Sequence, residues 1–148
     1  MKKRIYTLCL ALMAFCACGD DDNNNPTDSG GGRVIVDQSF DLPGTSFLEF
    51  TFSVDTDVQQ NVQLQGQFEV SGGNIQVALM DRENFDSWQQ GETPQVLYGS
   101  GLVPRSSFLV PIESSGAYFL VFSNTTDTAS KSITTEVRLL SSAEDTEG

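Results

Sequence analysis

Strict two-residue alternation over residues 62–70 is the feature that most constrains how this chain can fold. Apolar side chains and one glycine occupy every second position, and glutamine or glutamate fills the positions between them. Successive side chains of a β-strand point to opposite faces of a sheet, so the pattern predicts a strand with one buried and one solvated face. Residues 48–54 alternate in the same way. The chain is therefore expected to be built from strands that share one apolar face.

Turn-forming residues separate the apolar segments. Glycine, proline, asparagine and serine cluster at 43–44, 72–74, 99–101 and 115–116, as is typical of turns between strands. Between these clusters we predict eight strands, near residues 33–40, 47–54, 61–70, 75–80, 95–99, 105–112, 117–123 and 132–140. Short strands with frequent turns predict an all-β fold, an antiparallel two-sheet sandwich of the jelly-roll kind. Residues 33–140 are long enough to form one such domain with its own core.

One segment has helical rather than strand features. Asp81 is a typical N-cap residue, and Gly91 stands where a glycine often ends a helix. Phe85 and Trp88 are three residues apart and would share one face of a helix. We predict a short helix near 82–90 that caps an end or a side of the sandwich.

The predicted strand at 117–123 is apolar without alternation. One of its faces belongs in the core, and the other, which carries Phe119 and Val121, needs a cover. Either the segment with Phe85 and Trp88 covers this face, or the face is a protein-binding or oligomerisation patch.

The N-terminal region has the features of an export signal. Three basic residues at positions 2–4 precede a mostly apolar run over 5–15. This run is much shorter than the roughly 20 residues that a transmembrane helix needs. A basic start followed by a short apolar run is typical of a secretory signal peptide, here predicted to be residues 1–17.

The end of this signal carries a lipobox-like motif. The sequence Phe15-Cys16-Ala17-Cys18-Gly19 resembles the lipobox of bacterial lipoproteins, in which a small residue precedes the cysteine that is lipidated. The resemblance implies lipidation of Cys18, which becomes the new N-terminus. Cys16 is the alternative lipidation site, and an ordinary secretory cleavage that leaves a free thiol is another interpretation. Gly19 after the cysteine implies the outer membrane, with the periplasmic and surface faces both open.

The region after the cysteine is predicted to be a tether. Residues 19–32 contain no large apolar side chain, so they cannot offset the entropy cost of ordering, and a flexible chain of this length spans roughly 20 Å. Removal of residues 1–17, which hold three basic and no acidic residues, changes the formal net charge from −12 to −15. This charge argues against nucleic acid as a partner and leaves the lipid to hold the protein at the membrane. The acidic tail, 141–148, is expected to fray.

Composition excludes several kinds of active site. The chain has no histidine, which excludes Ser-His-Asp triads, Cys-His dyads and histidine-ligated metals. The acidic pairs and clusters at 55–57 and 81–86 are interpreted as solvated loop charge rather than as paired catalytic carboxylates. Calcium prefers such oxygen ligands, but the Asp-x-Asp at 55–57 lacks the following glycine and distal glutamate of an EF-hand loop. We therefore predict no enzymatic activity, no cofactor and no metal site.

Residues 116–124 and the strand after them resemble a known family. The sequence Gly-Ala-Tyr-Phe-Leu-Val-Phe-Ser-Asn, followed by a last strand up to residue 139, resembles the final two strands of GOLD (Golgi-dynamics) domains. Segments at 72–77, 84–88 and 98–101 resemble bacterial GOLD-like lipoproteins, and bacterial pre-peptidase C-terminal domains have a similar Gly-x-Tyr strand. The resemblance covers residues 37–140.

This resemblance implies a non-catalytic sandwich used for protein contacts. It also implies structural roles for two motif residues: a Tyr118 hydroxyl that reaches a backbone group, and an Asn124 side chain that hydrogen-bonds the turn that follows. Asn124 also begins a match to the N-glycosylation sequon, which we interpret as a turn.

Together these features predict a membrane-anchored, non-catalytic β-sandwich lipoprotein that mediates protein–protein contacts in the bacterial cell envelope. The alternative is a small-ligand or carbohydrate-binding module in which Trp88 and Tyr98 provide a stacking surface. A third hypothesis is an enzyme that uses carboxylates alone. No apolar segment of the sequence contains a pair of acidic residues that would support it.

Overall fold

In the computed structural model, which describes residues 32–143, the alternating segments form the predicted strands. The elements in chain order are β1 (Arg33–Leu42), β2 (Phe47–Val54), β3 (Gln59–Ser71), β4 (Ile75–Asp81), α1 (Arg82–Gln89), β5 (Tyr98–Val103), β6 (Arg105–Pro111), β7 (Gly116–Ser123) and β8 (Lys131–Ala143). The predicted all-β class, with eight strands and one short helix, is confirmed. The predicted signal peptide, Cys18 and all but the last residue of the predicted tether lie outside the described residues.

The strands form two four-stranded antiparallel sheets. Their orders are β1-β8-β3-β6, called the first sheet below, and β2-β7-β4-β5, called the second sheet. Every connection except the helical one between β4 and β5 crosses from one sheet to the other. This is the jelly-roll arrangement of a sandwich.

Aromatic rings fill the centre of the space between the sheets. The ring of Phe122, which is fully buried, meets Phe40, Phe50 and Phe68 at centroid distances of 5.6, 5.8 and 6.1 Å, each nearly edge-to-face. Such edge-to-face pairs add to the stabilisation that burial alone provides. Because apolar and polar side chains alternate along the strands, both sheets place apolar side chains in the space between them, and these side chains form the packed core.

Gly66 makes room for one of these inward-facing rings. A Cβ atom at this position would lie 2.5 Å from Cζ of Phe108 and 2.8 Å from a methyl carbon of Val137. The glycine that interrupts the apolar series of β3 therefore allows Phe108 to pack directly on the strand backbone.

Helix α1 is flanked by the predicted N-cap Asp81 and the predicted glycine Gly91, and it ends at Gln89, one residue before the predicted end. Oδ1 of Asp81 accepts a hydrogen bond from the backbone N–H of Asn84 at 2.9 Å, which is a standard N-cap contact. At the other end, Gly91 has a φ of +82° and its N–H donates to the carbonyl of Trp88. The left-handed conformation at this position is the reason why a glycine follows the helix.

The helix covers the outward face of β7. The ring of Phe85 stacks on Phe119 with a centroid distance of 4.2 Å and an interplanar angle of 4°, and the Arg82 guanidinium lies 5.2 Å from the Phe119 centroid. Phe119 and Val121 are buried as a result. The sequence allows two interpretations of this apolar face, and the structure agrees with the one in which the helical segment covers it.

The prediction for β5 was wrong in position. The strand runs from Tyr98 to Val103 rather than over 95–99, and residues 99–101, expected to form a turn, lie inside it. Its pairing with β4 shifts in register between Gln76 and Ala78, where the Ser100 hydroxyl accepts a hydrogen bond from the N–H of Val77. Because Gly101 has a φ of +67°, glycine here serves an irregular strand and not a turn.

Strand β8 is longer than predicted. It continues to Ala143, which pairs with Gln59 of β3, so the first three residues of the expected frayed tail belong to the sheet. The cause is non-local, because the extended start of β3 offers pairing partners that the tail sequence by itself does not indicate.

Candidate functional site

The motif residue Tyr118 has a structural role. Its hydroxyl donates a hydrogen bond to the carbonyl of Ser114 at 2.6 Å, and its ring stacks on Phe52 at 5.8 Å. Burial, and then the nearby charge of Asp81, raises the pKa of the Tyr118 hydroxyl above its ordinary value. The side chain therefore anchors the turn before β7, as the motif implied.

Asn124 has a structural role as well. Its side chain is buried, and Nδ2 donates to the carbonyls of Leu42, Pro43 and Ala129 at 3.3, 3.1 and 2.8 Å. These bonds join the β1–β2 turn to the β7–β8 loop. The nitrogen that a sequon glycan would use is both buried and hydrogen-bonded, which supports the interpretation of this motif as a turn.

The two aromatic residues proposed for ligand stacking lie on opposite faces of the second sheet. Trp88, which belongs to helix α1, packs edge-on against Phe47 at 4.8 Å on the outward face. Tyr98 packs toward the sandwich core against Phe108 at 4.6 Å, and its hydroxyl pairs with that of Ser106. Trp88 and Tyr98 are each partly buried in a separate apolar cluster, so they do not form one shared stacking surface.

The acidic side chains considered for chemistry organise local structure. Oδ1 of Asp55 accepts a hydrogen bond from the N–H of Asp57 at 3.0 Å, and Asp81 caps the helix. Within residues 32–143, no group of three or more Cys, Asp or Glu side chains converges as a metal site would require.

The outward face of the first sheet carries two adjoining shallow depressions. Their volumes are about 490 and 470 Å³, and both include Gln67, Ser107 and Glu136. We call this surface the polar face and define it by Asp37, Gln65, Gln67, Glu69, Arg105, Ser107, Glu136 and Arg138.

Strand register arranges the polar face in rows that run across the sheet. Asp37, Glu136, Gln67 and Ser107 form one row, because each lies opposite the next on β1, β8, β3 and β6. In the same way, Val34, Arg138, Gln65 and Leu109 form a second row, and Ser39, Thr134, Glu69 and Arg105 form a third. Neighbouring strands lie about 4.8 Å apart, which sets the spacing of polar groups within a row. Alternation predicts that the glutamine and glutamate positions of residues 62–70 are solvated, but the rows depend on the register.

The charges of the polar face nearly cancel. It carries three carboxylates and two guanidiniums, and Nε of Arg138 lies 2.9 Å from Oε1 of Glu136. Glu69 lies opposite Arg105, but Asp37 lies opposite Glu136, a placement of like charges that costs energy. The face can therefore both donate and accept hydrogen bonds while it presents little net charge.

Comparison of the sequence with protein-family models and with curated proteins finds no match in either. The resemblance to GOLD-like and pre-peptidase C-terminal domains thus stays a prediction. Among residues 32–143, no helix has the length and apolar character needed to cross a membrane.

Proposed function

We propose that this chain is a membrane-anchored, non-catalytic β-sandwich lipoprotein that mediates protein–protein contacts in the bacterial cell envelope, in the outer membrane. The sandwich would be held by a lipid on Cys18 and by the tether that follows it. Three acyl chains are typical of bacterial lipoproteins, and several chains together anchor a protein stably.

The observation that carries this proposal is that both ends of the sandwich chain emerge on one side. Strand β1 begins next to the end of β8, with Arg33 opposite Leu139, and the β2–β3 and β6–β7 turns lie at the same end, joined by a hydrogen bond from the N–H of Thr56 to the Ser115 hydroxyl. A tether that enters at residue 33 would therefore hold the sandwich at this end. The opposite end would project away from the membrane.

The projecting end is built as a fixed surface. It consists of the turns at 43–46 and 72–74 and the loop at 124–130, called the distal end here. The N–H of Thr45 lies 3.0 Å from the carbonyl of Asn124 and 2.8 Å from that of Asp127, and the buried ammonium of Lys131 pairs with the Asp127 carboxylate. A contact surface held in one conformation loses less entropy when a partner binds.

The anchor is tested by radiolabelled palmitate incorporation in intact cells. The wild-type chain should incorporate label that resists hydroxylamine, and the Cys18→Ser variant should not, whereas Cys16→Ser should incorporate label normally. Equal labelling of wild type and Cys18→Ser would contradict the proposed anchor.

The contact surface is tested by cross-linking in intact cells. After processing, the chain carries no cysteine beyond residue 18, so a thiol introduced at Thr126 on the distal end reacts alone with a thiol-to-amine cross-linker. We expect discrete protein adducts from Thr126→Cys and few from Glu113→Cys, which lies at the tethered end. Adducts of equal yield at both positions, or none at Thr126, would contradict a partner at the distal end.

A further inference from the structure

We propose that the polar face binds an uncharged, polyhydroxylated ligand, such as a neutral glycan, along the rows of side chains that cross the first sheet. This inference does not depend on the anchor or on protein contacts at the distal end. It also differs from the stacking hypothesis, because it uses neither Trp88 nor Tyr98.

The side chains of the polar face have unused hydrogen-bonding capacity. Along the three rows, within the described residues, the hydrogen bonds between side chains are those of Arg138 with Glu136 and of Thr134 with Ser39. The carboxamides of Gln65 and Gln67 make none, since the bond from the Thr135 hydroxyl at Gln67 goes to the backbone carbonyl of this residue. Each carboxamide can donate and accept at once, as the hydroxyl groups of a sugar do.

On the polar face, Asp37 lies directly opposite Glu136. Like charges in this position repel, and ionised carboxylates can only accept hydrogen bonds. A hydroxyl group that donates to each carboxylate would relieve this arrangement. Because Gln67 and Ser107 continue the same row, a ligand with hydroxyls at intervals close to the strand spacing of about 4.8 Å could contact all four strands.

The polar face is closer to charge balance than the described chain as a whole. Residues 32–143 carry 13 acidic and 5 basic side chains, whereas the polar face carries three and two. The net negative charge of the protein would repel an anionic ligand, and the two guanidiniums of the polar face would repel a cationic one. The balanced face favours a ligand that binds through hydrogen bonds rather than through net charge.

Apolar side chains make up only a small share of the polar face. The large apolar side chains exposed along these rows are Leu109 and Val34, 56% and 48% exposed, at opposite edges of the sheet. Stable protein interfaces are organised around a buried, largely apolar centre in which aromatic residues are enriched, and the rows of the polar face contain no aromatic residue. Leu109 lies at the end of the row of Gln65 and Arg138, where it could contact the C–H face of a sugar ring.

The test is native affinity electrophoresis of the lipidated full chain in detergent, in gels that contain soluble xylan, mixed-linkage glucan or mannan. We expect that at least one of these neutral polysaccharides retards the protein. Gln67→Ala should weaken binding about fivefold, the loss expected for one or two hydrogen bonds. The matched control is Gln76→Ala, which removes an exposed glutamine from the outward face of the second sheet and should leave binding unchanged.

Several outcomes would overturn the proposal: no retardation by any of the three polysaccharides, an equal loss with Gln76→Ala, or retardation only by an anionic polysaccharide and only at low salt. Recovery of a protein cross-linked through Gln65→Cys, without binding of any glycan, would assign the face to a protein partner instead. Circular dichroism of each variant establishes that the sandwich is intact, and Ser107→Ala provides a second variant on the same row.

Discussion

At the scale of single residues, a few buried polar groups hold the turns at the distal end. Asn124 connects the β1–β2 turn to the β7–β8 loop, because its Nδ2 donates its two hydrogens among three carbonyl oxygens. Buried carbonyls that lose their donor cost free energy because water cannot replace the bond.

Asn124→Asp should therefore destabilise the fold. The carboxylate cannot donate, and it would place a negative charge among three carbonyl oxygens, so we expect a loss of about 2–3 kcal/mol or more in the free energy of unfolding. Urea denaturation at pH 7 measures this loss. The control is Asn74→Asp at an exposed turn, which should change stability little, and an equal effect of the two variants would show that Asn124 has no special role.

Asp127 makes stability depend on pH in the acidic range. The hydrogen bond from Lys131, and then that from the N–H of Ala129, lower the pKa of the Asp127 carboxyl below its ordinary value. The stabilisation is therefore complete above the carboxyl pKa of the unfolded chain, near 4, and is lost as the pH falls through the lower value of the folded protein.

Asp127→Asn should accordingly lower the thermal unfolding temperature at pH 7, because the buried Lys131 ammonium loses its partner. The difference from wild type should shrink as the pH falls below 4. Asp57→Asn, at an exposed turn position, provides the comparison. A difference that stays constant from pH 7 to pH 2 would contradict this assignment.

Glu49 makes stability depend on pH in the direction opposite to Asp127. It lies on the outward face of β2, opposite the buried Val121, and burial raises the pKa of its carboxyl. The charged form is thus disfavoured in the folded protein, so stability due to this group increases as the pH falls through the raised pKa.

Glu49→Gln should stabilise the fold slightly at pH 7, by roughly 0.5 kcal/mol or less, as is usual at a partly exposed position. The gain should disappear below the unfolded pKa near 4, where wild-type Glu49 is also neutral. Chemical denaturation at the two pH values measures it, and a Glu49→Gln variant less stable than wild type at pH 7 would refute this account.

At the scale of elements, helix α1 is stabilised by packing on the outward face of β7, which it covers. Its eight residues are too few for a stable isolated helix, so its stability comes from the cap at Asp81 and from the stacking of Phe85 on Phe119. The helix in turn removes an apolar strip of β7 from water.

Phe85→Ala should therefore cost about 3–4 kcal/mol and expose Phe119. We expect increased fluorescence of a hydrophobic dye together with a lower denaturation midpoint. Trp88→Ala, which alters a partly exposed ring on the same helix, should have a smaller effect. An equally large loss with Trp88→Ala would show that Phe85 is not the main anchor.

The elements also show where sequence reasoning reaches its limit. The ends of α1 were predictable because capping depends on residues that are neighbours in the chain, namely Asp81 and Gly91. The position of β5 was not, because residues 99–101 have the composition of a turn. Pairing with β4 and the contact of Ser100 with Val77 hold them in the sheet instead.

At the scale of the whole molecule, the two outward faces of the sandwich differ. The second sheet is covered in part by α1, whereas the first sheet presents the polar face. If the chain is tethered at the end where β1 begins, the distal end points outward and the polar face stands on the flank of the molecule. Protein contacts and glycan binding could then use separate surfaces.

The sequence by itself determined which side chains of the alternating strands face inward, since alternation is local to each strand, and it indicated the residues that flank the helix at both ends. It also carries the lipobox-like segment on which the proposed anchor depends. Only the tertiary structure decided the order of strands in the two sheets, the separation of Trp88 from Tyr98 and the row that joins Asp37 to Ser107. These features depend on register between strands far apart in the chain, and a pattern with a period of two residues does not specify which distant strand will be its neighbour.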